Sequence, residues 1–456
     1  MSWVIVIFAL PYVGLFLYAF LGQNFRKIKI YSRKGVWDEK FRKKISEKQL
    51  LDFESEEGSL PEGLTRLKKL IILNLRGNQS LLGKNSDIKI YFSGKNSLDS
   101  MIEEIYKAEK HIHLQSYIIE NDEIGNKFKD ILIEKARQGI EVRLIYDFVG
   151  CWSLDENFTN PMKEAGIEIL VFSPVKVLTP TSKVNYRNHR KILVIDGKTG
   201  FLGGVNIADR YYTGGVFKEW RDTHIKITGE SVQALQSSFL LDRYFIINRQ
   251  FNKKLSRYFP EFPTIKTDSP ETGKTIYSQI ITSGPDSDWS SIMQCYLAAI
   301  MKAKKHIYIV TTYFTPNETL LNALKVSALG GVKVSIMLPE KSDSKITYWC
   351  TISYAEELLE AGVNIHLFRN GFNHSKVISI DGEFCIIGSV NMDNRSFDHN
   401  FEITSIIYDK ECSRLIEHRY KEDLPRCKNL EYSKWARRSK GKRIKESLAR
   451  LLSPLL

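Results

Sequence analysis

Hydrophobic positions along the chain form one long uncharged segment near the start, followed by many short runs. The long segment extends from Trp3 to Leu21 and contains no charged side chain. A helix of that length, at about 1.5 Å per residue, extends roughly 28 Å, close to the thickness of the hydrocarbon core of a bilayer. This pattern predicts that residues 1–22 form a transmembrane helix.

A cleaved signal peptide is the alternative interpretation of this segment. Such a peptide needs a basic start and small residues at its cleavage site. Met1 and Ser2 carry no basic side chain, and the residues from Tyr18 to Gly22 make a poor cleavage site. We therefore expect an uncleaved membrane anchor.

The rest of the chain alternates short runs rich in Val, Ile and Leu with stretches of helical periodicity. This alternation predicts an α/β fold in which helices cover a sheet. Three runs occur twice, in the same order and about 192 to 196 residues apart, so we expect two similar α/β/α halves packed about a pseudo-twofold axis, at residues 86–275 and 276–425. The paired runs begin at Ala108 and Ala303, at Gly139 and Gly331, and at Glu164 and Glu360.

The net charge of +13 comes from 66 basic and 53 acidic side chains, and it is concentrated at the two ends. Five basic residues and no acid lie between Gly22 and Lys34, and eight basic residues against one acid follow from Lys434 onward. The near-neutral body argues against nucleic acid as a partner, since such proteins usually carry a basic patch on the body. Basic ends fit an anionic membrane surface, where each basic residue contributes about 1 kcal/mol.

The position of these basic runs also predicts topology and domain limits. Basic residues that follow a membrane segment usually stay on the cytoplasmic side, so we expect the catalytic part there, with residues 23–85 as a basic juxtamembrane and linker region. The basic segment 426–456 fits either an amphipathic helix resting on lipid or a solvated tail. Gly441 and Pro454 weaken the helical interpretation.

Cysteine usage and loop composition exclude several classes of site. None of the six cysteines falls in a C-x-x-C pair, which favours buried free thiols in a reducing compartment over disulfides or a zinc site. No glycine-rich nucleotide loop or cluster of metal-ligating residues stands out in the sequence. We therefore expect no cofactor and no metal.

A sharper motif ends each repeat, with the form H-x-K-x4-D and an asparagine seventeen residues after the histidine. Val, Ile and Leu after each lysine predict a strand, in which the histidine and the lysine point to one face. The Asp-Gly pair that follows predicts a tight turn, so a return strand brings the asparagine back toward its histidine. The motif residues are His189, Lys191, Asp196 and Asn206 in the first half, and His374, Lys376, Asp381 and Asn391 in the second.

These side chains suit chemistry at a phosphate. An ammonium and amide donors can bind its non-bridging oxygens, a neutral imidazole can attack phosphorus, and a protonated imidazole can protonate a leaving alkoxide. Two such sets facing each other supply both roles without a metal. The two aspartates belong to the motif, but they could equally be turn residues that only position it.

The doubled motif resembles the phospholipase D superfamily, and the chain as a whole is similar to bacterial cardiolipin synthases with two motifs. The second motif continues with Asp393, Arg395, Asn400 and Glu402, and the chain ends in LLSPLL. The resemblance covers nearly the whole chain. One difference is that many relatives have two N-terminal membrane helices, whereas this sequence predicts one.

The resemblance implies phosphatidyl transfer between two phosphatidylglycerol molecules through a phosphatidyl-histidine, giving cardiolipin and glycerol. It implies His189 as nucleophile and His374 as acid and base, or the reverse. Lys191, Lys376, Asn206, Asn391 and Ser389 would hold the phosphate. Glu402 matches the carboxylate that orients the histidine of its own motif, His374, and Asp222 is the candidate for His189.

Other functions remain open at this point. The same chemistry with water, serine or phosphatidylethanolamine as acceptor or co-substrate would make the protein a phospholipase D or another phosphatidyltransferase, since acceptor choice depends on access and on water exclusion. A nuclease of the superfamily would need a basic groove on the body. A catalytically inactive membrane scaffold conflicts with two complete His-Lys-Asn sets.

Overall fold

The computed structural model describes residues 46–53, 60–61, 63–172, 186–247, 253–262, 274–285, 287 and 289–455, together with 7, 11, 12 and 14. Apart from those four isolated positions, the predicted anchor 1–22 lies outside the described residues, as does the basic run that follows it. No helix of the described ranges is long and apolar enough to cross a membrane.

The first half of the structure is a series of strands and helices that follows helix α1 (Lys68–Asn78). Its elements are β1 (Gly83–Tyr91), α2 (Gly94–Tyr106), β2 (His111–Ser116), α3 (Glu123–Arg137), β3 (Glu141–Asp147), α4 (Glu156–Glu164), β4 (Glu168–Phe172), β5 (Arg187–Asn188), β6 (Ile192–Ile195), β7 (Thr199–Gly203), α5 (Asp209–Thr213), β8 (Trp220–Arg221), β9 (His224–Gly229) and α6 (Val232–Ile247).

The second half repeats this series with small additions, and a C-terminal segment follows it. The elements of the half are β10 (Ile276–Ser283), α7 (Ser291–Lys302), β11 (His306–Val310), β12 (Phe314–Thr315), α8 (Glu318–Leu329), β13 (Lys333–Pro339), α9 (Lys345–Ser353), α10 (Ala355–Glu360), β14 (Asn364–Phe368), β15 (Phe372–Asn373), β16 (Val377–Ile380), β17 (Phe384–Gly388), β18 (Met392–Asp393), α11 (Asn394–Asp398), β19 (Asn400–Tyr408) and α12 (Lys410–Asp423). The C-terminal segment contains β20 (Cys427–Asn429), α13 (Tyr432–Trp435) and α14 (Lys440–Arg450).

One sheet runs through both halves, with β1 and β10 antiparallel at its centre. Outward from β1 the order is β9, β7, β6, β2, β3 and β4, and outward from β10 it is β19, β17, β16, β11, β13 and β14. The two orders match strand for strand as far as β4 and β14, and β20 then adds an antiparallel edge strand to β14. The predicted α/β architecture of two similar halves about a pseudo-twofold axis is therefore confirmed.

The outer strands of each half are parallel because helices connect them. Helix α3 is capped by Asp122, whose side chain accepts the backbone N–H of Gly125 at 2.8 Å, and it buries Ile124, Phe128 and Ile131 at helical spacing. Helix α8 is capped in the same way by Asn317, which stands at the equivalent position of the second repeat.

Helices cover both faces of the sheet, so each half is an α/β/α sandwich. Alternate residues of β6 show this: Leu193 packs in the cluster under α2 and α3, whereas Val194 packs on the other face. On that other face α6 and α12 share one hydrophobic cluster, to which Leu235 and Tyr420 contribute. The two halves thus have a common core layer.

Helix α1 differs from the sequence-based expectation that residues 23–85 form a linker. Its buried Leu70 and Ile71 pack against Ile292 in the core of the second half. The side chain of Asn78 accepts the backbone N–H of Thr282 at 2.9 Å. This helix therefore belongs to the folded body.

Two short strands exchange between the halves. Strand β5 of the first half pairs in parallel with β19 of the second, with Arg187 beside Asn400. Strand β15 of the second half pairs in parallel with β8 of the first, with Phe372 beside Trp220. Since β5 and β15 directly precede the two motif histidines, each histidine is carried onto the other half.

Candidate active site

The two motifs form hairpins, as their Asp-Gly pairs predict. Strand β6 pairs antiparallel with β7, and β16 with β17. The turns place Asp196 and Asp381 in the left-handed region, with φ of 54° and 55°, each followed by a glycine. Asp and Asn tolerate this conformation better than most residues do, which accounts for the residue type at the turn.

Asp196 and Asp381 do not belong to the catalytic set in which the sequence placed them. The carboxylate of Asp196 accepts the backbone N–H groups of three consecutive residues that lead into β2, and that of Asp381 does the same before β11. Seven residue steps along an extended segment, roughly 23 Å, separate each aspartate from its histidine. We correct their role to that of fixing the hairpin turn to the neighbouring strand.

The strand begins later than predicted, because β6 starts at Ile192. The segment before it nevertheless alternates. Lys191 Nζ donates to the backbone oxygen of His189 at 2.6 Å, whereas Arg190 points the other way and donates from one nitrogen to both carboxylate oxygens of buried Asp242 at 2.8 Å. The ion pair to Asp242 holds the segment in place beneath the site.

Each histidine is bound to a carboxylate of the other half. His189 Nδ1 lies 2.9 Å from Glu402 Oε1 and 3.1 Å from Oε2, and His374 Nδ1 lies 2.7 Å from Asp222 Oδ2. The predicted pairing of Glu402 with His374 and of Asp222 with His189 is therefore wrong. The strand exchange at β5 and β15 is the physical reason for the crossed arrangement.

Burial sets the protonation state of the two imidazoles. It lowers the pKa of His189, against the opposing effect of the Glu402 charge. It lowers the pKa of His374 well below the usual range, and the charges of Lys376 and Lys191 lower it further. Both imidazoles are thus neutral near pH 7. With Nδ1–H donated to a carboxylate, Nε2 carries the free lone pair.

The two carboxylates differ in their environment. Burial alone would raise the pKa of Glu402, but the charge and hydrogen bond of His189 bring it below its usual value. Burial raises the pKa of Asp222 to about 6, against the opposing charge of Lys376. Glu402 therefore holds its negative charge more firmly than Asp222 does.

The motif lysines are buried behind the histidines, and neither forms an ion pair with a carboxylate of the described residues. Burial lowers the pKa of Lys191 to about 7 and that of Lys376 to about 8, although nearby carboxylates oppose this. Lys191 Nζ lies 5.2 Å from the ring centre of Tyr117, whereas Lys376 Nζ donates to Thr312 Oγ1 at 3.1 Å. An anion bound between the histidines would supply the missing negative charge.

The predicted phosphate-binding side chains have different positions. Asn206 accepts the backbone N–H of Ile118 at 3.1 Å and donates to the Tyr211 hydroxyl at 2.6 Å, so its oxygen and one of its two N–H groups are already used. Asn391 Oδ1 is buried and has no hydrogen-bond partner among the described residues. Both asparagines line the cavity described below.

Ser389 does not face the substrate as predicted. It is fully buried and its hydroxyl donates to the carboxylate of Glu402. At the equivalent position of the first half, a Cβ on Gly204 would lie 2.1 Å from Asp222 Oδ1. Ser389 therefore donates a hydrogen bond to Glu402, whereas Gly204 leaves room for the carboxylate of Asp222.

A cavity of about 560 Å³ joins the two motifs, and both halves contribute to it. The sequence did not predict most of the residues that line this cavity. Arg395 and Asn400 were visible only as residues after the second motif, and the aromatic residues gave no separate signal. Besides the histidines and asparagines already described, its lining includes Tyr117, Arg187, Arg210, Tyr211, Phe217, Trp220, Tyr313, Asp343, Arg395 and Asn400.

The cavity can hold a phosphodiester between two neutral imidazoles. Lys191 and Lys376 do not line it and lie behind the histidines, where each donates to the backbone oxygen of its own histidine. Within the described ranges, no group of three or more His, Cys, Asp or Glu is placed to hold a metal ion. All six cysteines are free thiols, and five are buried. None of them lines this cavity.

Comparison with known proteins gives consistent matches. A family model described as "Cardiolipin synthase, PLD-like domain" matches residues 101–239 and 296–424. A protein named cardiolipin synthase from Oceanobacillus iheyensis is 37% identical over 464 residues, covering 100% of this chain and 93% of its own length. The major cardiolipin synthase ClsA of Bacillus subtilis is 37% identical over 462 residues, with the same coverage.

A solved structure supports the fold. The crystal structure of phosphatidylserine synthase from Haemophilus influenzae Rd KW20 superposes with a TM-score of 0.63 at 15% sequence identity. It covers 85% of this chain and 100% of that chain. At this level of identity the likeness concerns the fold of the two halves and no more.

Proposed function

The chain belongs to the cardiolipin synthase family of the phospholipase D superfamily and is a phosphatidyltransferase, and we propose that both of its substrates are phosphatidylglycerol. The products would be cardiolipin and glycerol. The observation that carries this proposal is the pair of carboxylate-bound imidazoles, one from each half, that face a single cavity with two buried ammonium groups beneath it.

The first step is attack on phosphorus. His189 Nε2, neutral in the buried site, forms a bond to the phosphorus of the donor lipid as the bond to its glycerol oxygen breaks. The phosphorylated imidazole carries a positive charge, which ionised Glu402 offsets at Nδ1. His374 gives its proton to the departing glycerol oxygen.

The protonation of His374 depends on the substrate. The empty site lowers its pKa, but the negative phosphodiester raises it again, since a nearby opposite charge favours the imidazolium. The phosphate raises the pKa values of Lys191 and Lys376 in the same way, because it places a negative charge near their buried ammonium groups. Substrate binding thus protonates His374, the general acid, and keeps Lys191 and Lys376 charged so that they stabilise the phosphate.

The second step reverses the first with a new alcohol. His374, now neutral, takes the proton from a glycerol hydroxyl of the second phosphatidylglycerol. The oxygen attacks phosphorus as the bond to His189 breaks, which gives cardiolipin and returns the enzyme to its starting state. Since the imidazoles influence each other, they titrate as a pair rather than independently.

The direct test uses purified full-length protein with phosphatidylglycerol in mixed micelles, with EDTA present. We expect cardiolipin and glycerol in equal amounts, and neither product from His189→Ala or His374→Ala. Phosphatidic acid in place of cardiolipin would make water the acceptor. A reaction that starts only when phosphatidylethanolamine is added would contradict the proposed substrate pair.

We also propose that the enzyme works at the cytoplasmic face of the cell membrane, held by the predicted N-terminal anchor. The C-terminal helix α14 supports contact with lipid. Its buried Glu446 accepts hydrogen bonds from Arg438 on the inner side of the helix. Ile444, Leu448 and Leu451 are 59%, 60% and 46% exposed on the outer side. Basic residues beside such an apolar stripe suit an anionic bilayer surface.

Attaching an environment-sensitive fluorophore to Leu448→Cys in the full-length protein tests this contact. We expect a blue shift with phosphatidylglycerol vesicles and a smaller one with neutral phosphatidylcholine vesicles. An unchanged spectrum with both would show that α14 does not touch lipid. Labelling should be selective, because the native cysteines are buried or half-buried.

A further inference from the structure

The two halves of the cavity wall are related by the pseudo-twofold axis but differ in chemistry. Arg210 and Arg395 follow Asn206 and Asn391 at the same distance and occupy equivalent positions. The guanidinium of Arg210 forms an ion pair with Glu120. The residue equivalent to Glu120 in the second half is Thr315, which has no charge.

Arg395 therefore lacks the counterpart of that ion pair, although the charge of buried Asp393 acts on it at longer range. It lines the cavity, and no ion pair joins it to any acid in the described part of the chain. Asp393, two residues away, is buried and accepts the backbone N–H of Ser396. A cationic side chain that faces a cavity without a partner is a candidate for binding an anion.

The exchanged strands break the symmetry a second time. In one exchange Phe372 lies beside Trp220, with ring centres 4.7 Å apart, and this wall is aromatic. In the equivalent exchange Arg187 lies beside Asn400, and this wall is polar. On the aromatic side the charge of Arg210 is paired with Glu120, whereas on the polar side Arg187 and Arg395 have no ion-pair partner among the described residues.

Arg187 is also unpaired, although it is only 9% exposed. One of its nitrogens donates to the backbone oxygen of Tyr186, and no carboxylate of the described ranges forms an ion pair with it. Asp147 acts on it at longer range but accepts the backbone N–H groups of Val149 and Asn188. Burial lowers the pKa of Arg187, and the nearby charge of Arg395 lowers it further.

On the same wall, Asn400 adds an amide oxygen that can accept a hydrogen bond from a hydroxyl group. Its amide nitrogen donates to Glu402 Oε1 at 3.1 Å, which fixes the orientation of the amide because the carboxylate can only accept. The other end, Oδ1, has no hydrogen-bond partner within the described residues, although the side chain is only 7% exposed. Burying such an oxygen unpaired costs free energy, which a bound hydroxyl would recover.

We propose that Arg187 and Arg395 form a second anion site, beside the catalytic histidines, that binds the phosphodiester of the acceptor phosphatidylglycerol, with Asn400 Oδ1 accepting a hydrogen bond from its glycerol. This inference rests on the proposed function and names the feature that selects the acceptor. The donor phosphate occupies the space between the histidines. The acceptor brings its own phosphate, which water and free glycerol lack.

The chemistry of the product fits this position. Cardiolipin contains two phosphates joined by a three-carbon glycerol, so the second anion site has to share the cavity with the histidines. The transfer itself is unchanged: the acceptor oxygen bonds to phosphorus, the bond to the histidine breaks and the acid/base histidine takes the proton. The arginines only determine which alcohol is held in position for attack.

The test compares two soluble acceptors with phosphatidylglycerol as the donor in mixed micelles. One is radiolabelled glycerol, which regenerates phosphatidylglycerol, and the other is glycerophosphoglycerol, the deacylated headgroup. We expect the wild-type protein to favour glycerophosphoglycerol over glycerol at equal concentration by about ten- to hundredfold, the contribution of hydrogen bonds to a charged group. Arg395→Gln and Arg187→Gln should remove this preference while incorporation of glycerol stays within about twofold.

Two further variants sharpen the comparison. Arg395→Lys keeps the charge and should restore part of the preference, which a purely structural role would not predict. Arg257→Gln removes an exposed arginine that pairs with Glu141, and it should behave as wild type. Arg395 lies on a short, half-buried helix, so its variants give a result even if Arg187→Gln fails to fold.

The outcomes are distinguishable. Equal use of the two acceptors by the wild-type protein would overturn the second anion site while leaving phosphatidyl transfer intact. A preference that survives in both glutamine variants would also overturn it. If wild-type protein incorporates neither acceptor and forms no cardiolipin, the proposed function fails and this inference fails with it.

Discussion

Glu402, in the second half of the chain, lies 2.9 Å from Nδ1 of His189, in the first half. Asp222 and His374 form the reciprocal pair at 2.7 Å. Each half therefore holds the carboxylate that orients the imidazole of the other. The reacting groups are assembled only when the halves pack, and the continuous central sheet fixes that packing.

The roles of the two histidines can be separated with a donor that needs no acid. Phosphatidyl-p-nitrophenol has a leaving group that departs without protonation, so only the nucleophile is required for the first step. We expect His374→Ala to release one equivalent of p-nitrophenol in a burst and to accumulate a phosphatidyl group on His189. His189→Ala should show no burst. Rapid mixing and mass spectrometry of the trapped peptide provide the measurement, and a burst in His189→Ala alone would reverse the assignment.

The crossed pairing gives a second prediction in the same assay. In the His374→Ala background, Glu402→Gln should slow the burst by about 10²-fold, since a carboxylate that orients a catalytic imidazole contributes on that scale. Asp222→Asn in that background should leave the burst rate almost unchanged, because its imidazole partner is already absent. The reverse order of effects would show that each carboxylate serves the histidine of its own half.

The sequence predicted the fold and the two histidines that line one cavity for a clear reason. The spacing of His, Lys and Asn is carried by a hairpin, and hairpin geometry follows from local alternation and from the Asp-Gly turn. Equal spacing in both repeats then implied a shared site. Nothing beyond local pattern was needed for His189 or His374.

The pairing of each histidine with a carboxylate of the other half could not be predicted from spacing, because it depends on two-residue strands that pair across the halves. Strands β5 and β15 are too short to leave a hydrophobic period. The direction of the Ser389 hydroxyl likewise depends on the position of Glu402, on another strand. Such contacts follow from tertiary packing rather than from sequence spacing.

The motif aspartates are expected to stabilise the fold rather than to act in the chemistry. Asp196→Asn leaves one amide oxygen where two carboxylate oxygens accepted three backbone N–H groups. The free energy of unfolding should fall by about 1 to 3 kcal/mol. Denaturant titration measures this, with Asp130→Asn on the exposed face of α3 as the control. The folded variant should keep its turnover within about threefold of wild type; a loss comparable to that of His189→Ala would return Asp196 to the catalytic set.

Gly204 and Ser389 should respond differently to substitution by alanine. A Cβ at Gly204 would lie 2.1 Å from Asp222 Oδ1, so Gly204→Ala displaces the carboxylate that orients His374. A displacement near 1 Å at a reacting group can cost about 10²-fold in turnover. Ser389→Ala removes one hydrogen bond to Glu402 and should cost about tenfold in turnover.

Steady-state kinetics would show the order of the two losses. The control is Gly77→Ala, whose added Cβ would meet nothing closer than 3.8 Å. Equal losses in the two variants would contradict this account.

The pH dependence of the reaction follows from the buried lysines and histidines. Burial lowers the pKa of Lys191 to about 7 in the empty site, so its ammonium charge is lost as pH rises through that value. His189 also has a lowered pKa, so its neutral form is lost only as pH falls below its ordinary value near 6.5. The profile of kcat/KM, which reports the free enzyme, should therefore be bell-shaped, with a basic limb that has already begun by neutral pH because the imidazolium of His374 and the ammonium of Lys191 are both lost there.

The profile of kcat should differ on the basic side, because it reports the enzyme with substrate bound. A phosphodiester beside Lys191 and Lys376 raises their pKa values, so the basic limb of kcat should lie at higher pH than that of kcat/KM. Initial rates with phosphatidylglycerol in mixed micelles, from about pH 5 to 10, give both profiles. Coincident basic limbs would mean that the phosphate does not supply the counter-charge of the buried lysines. The stabilisation of the phosphate assigned to the lysines would then have to come from other groups that line the cavity.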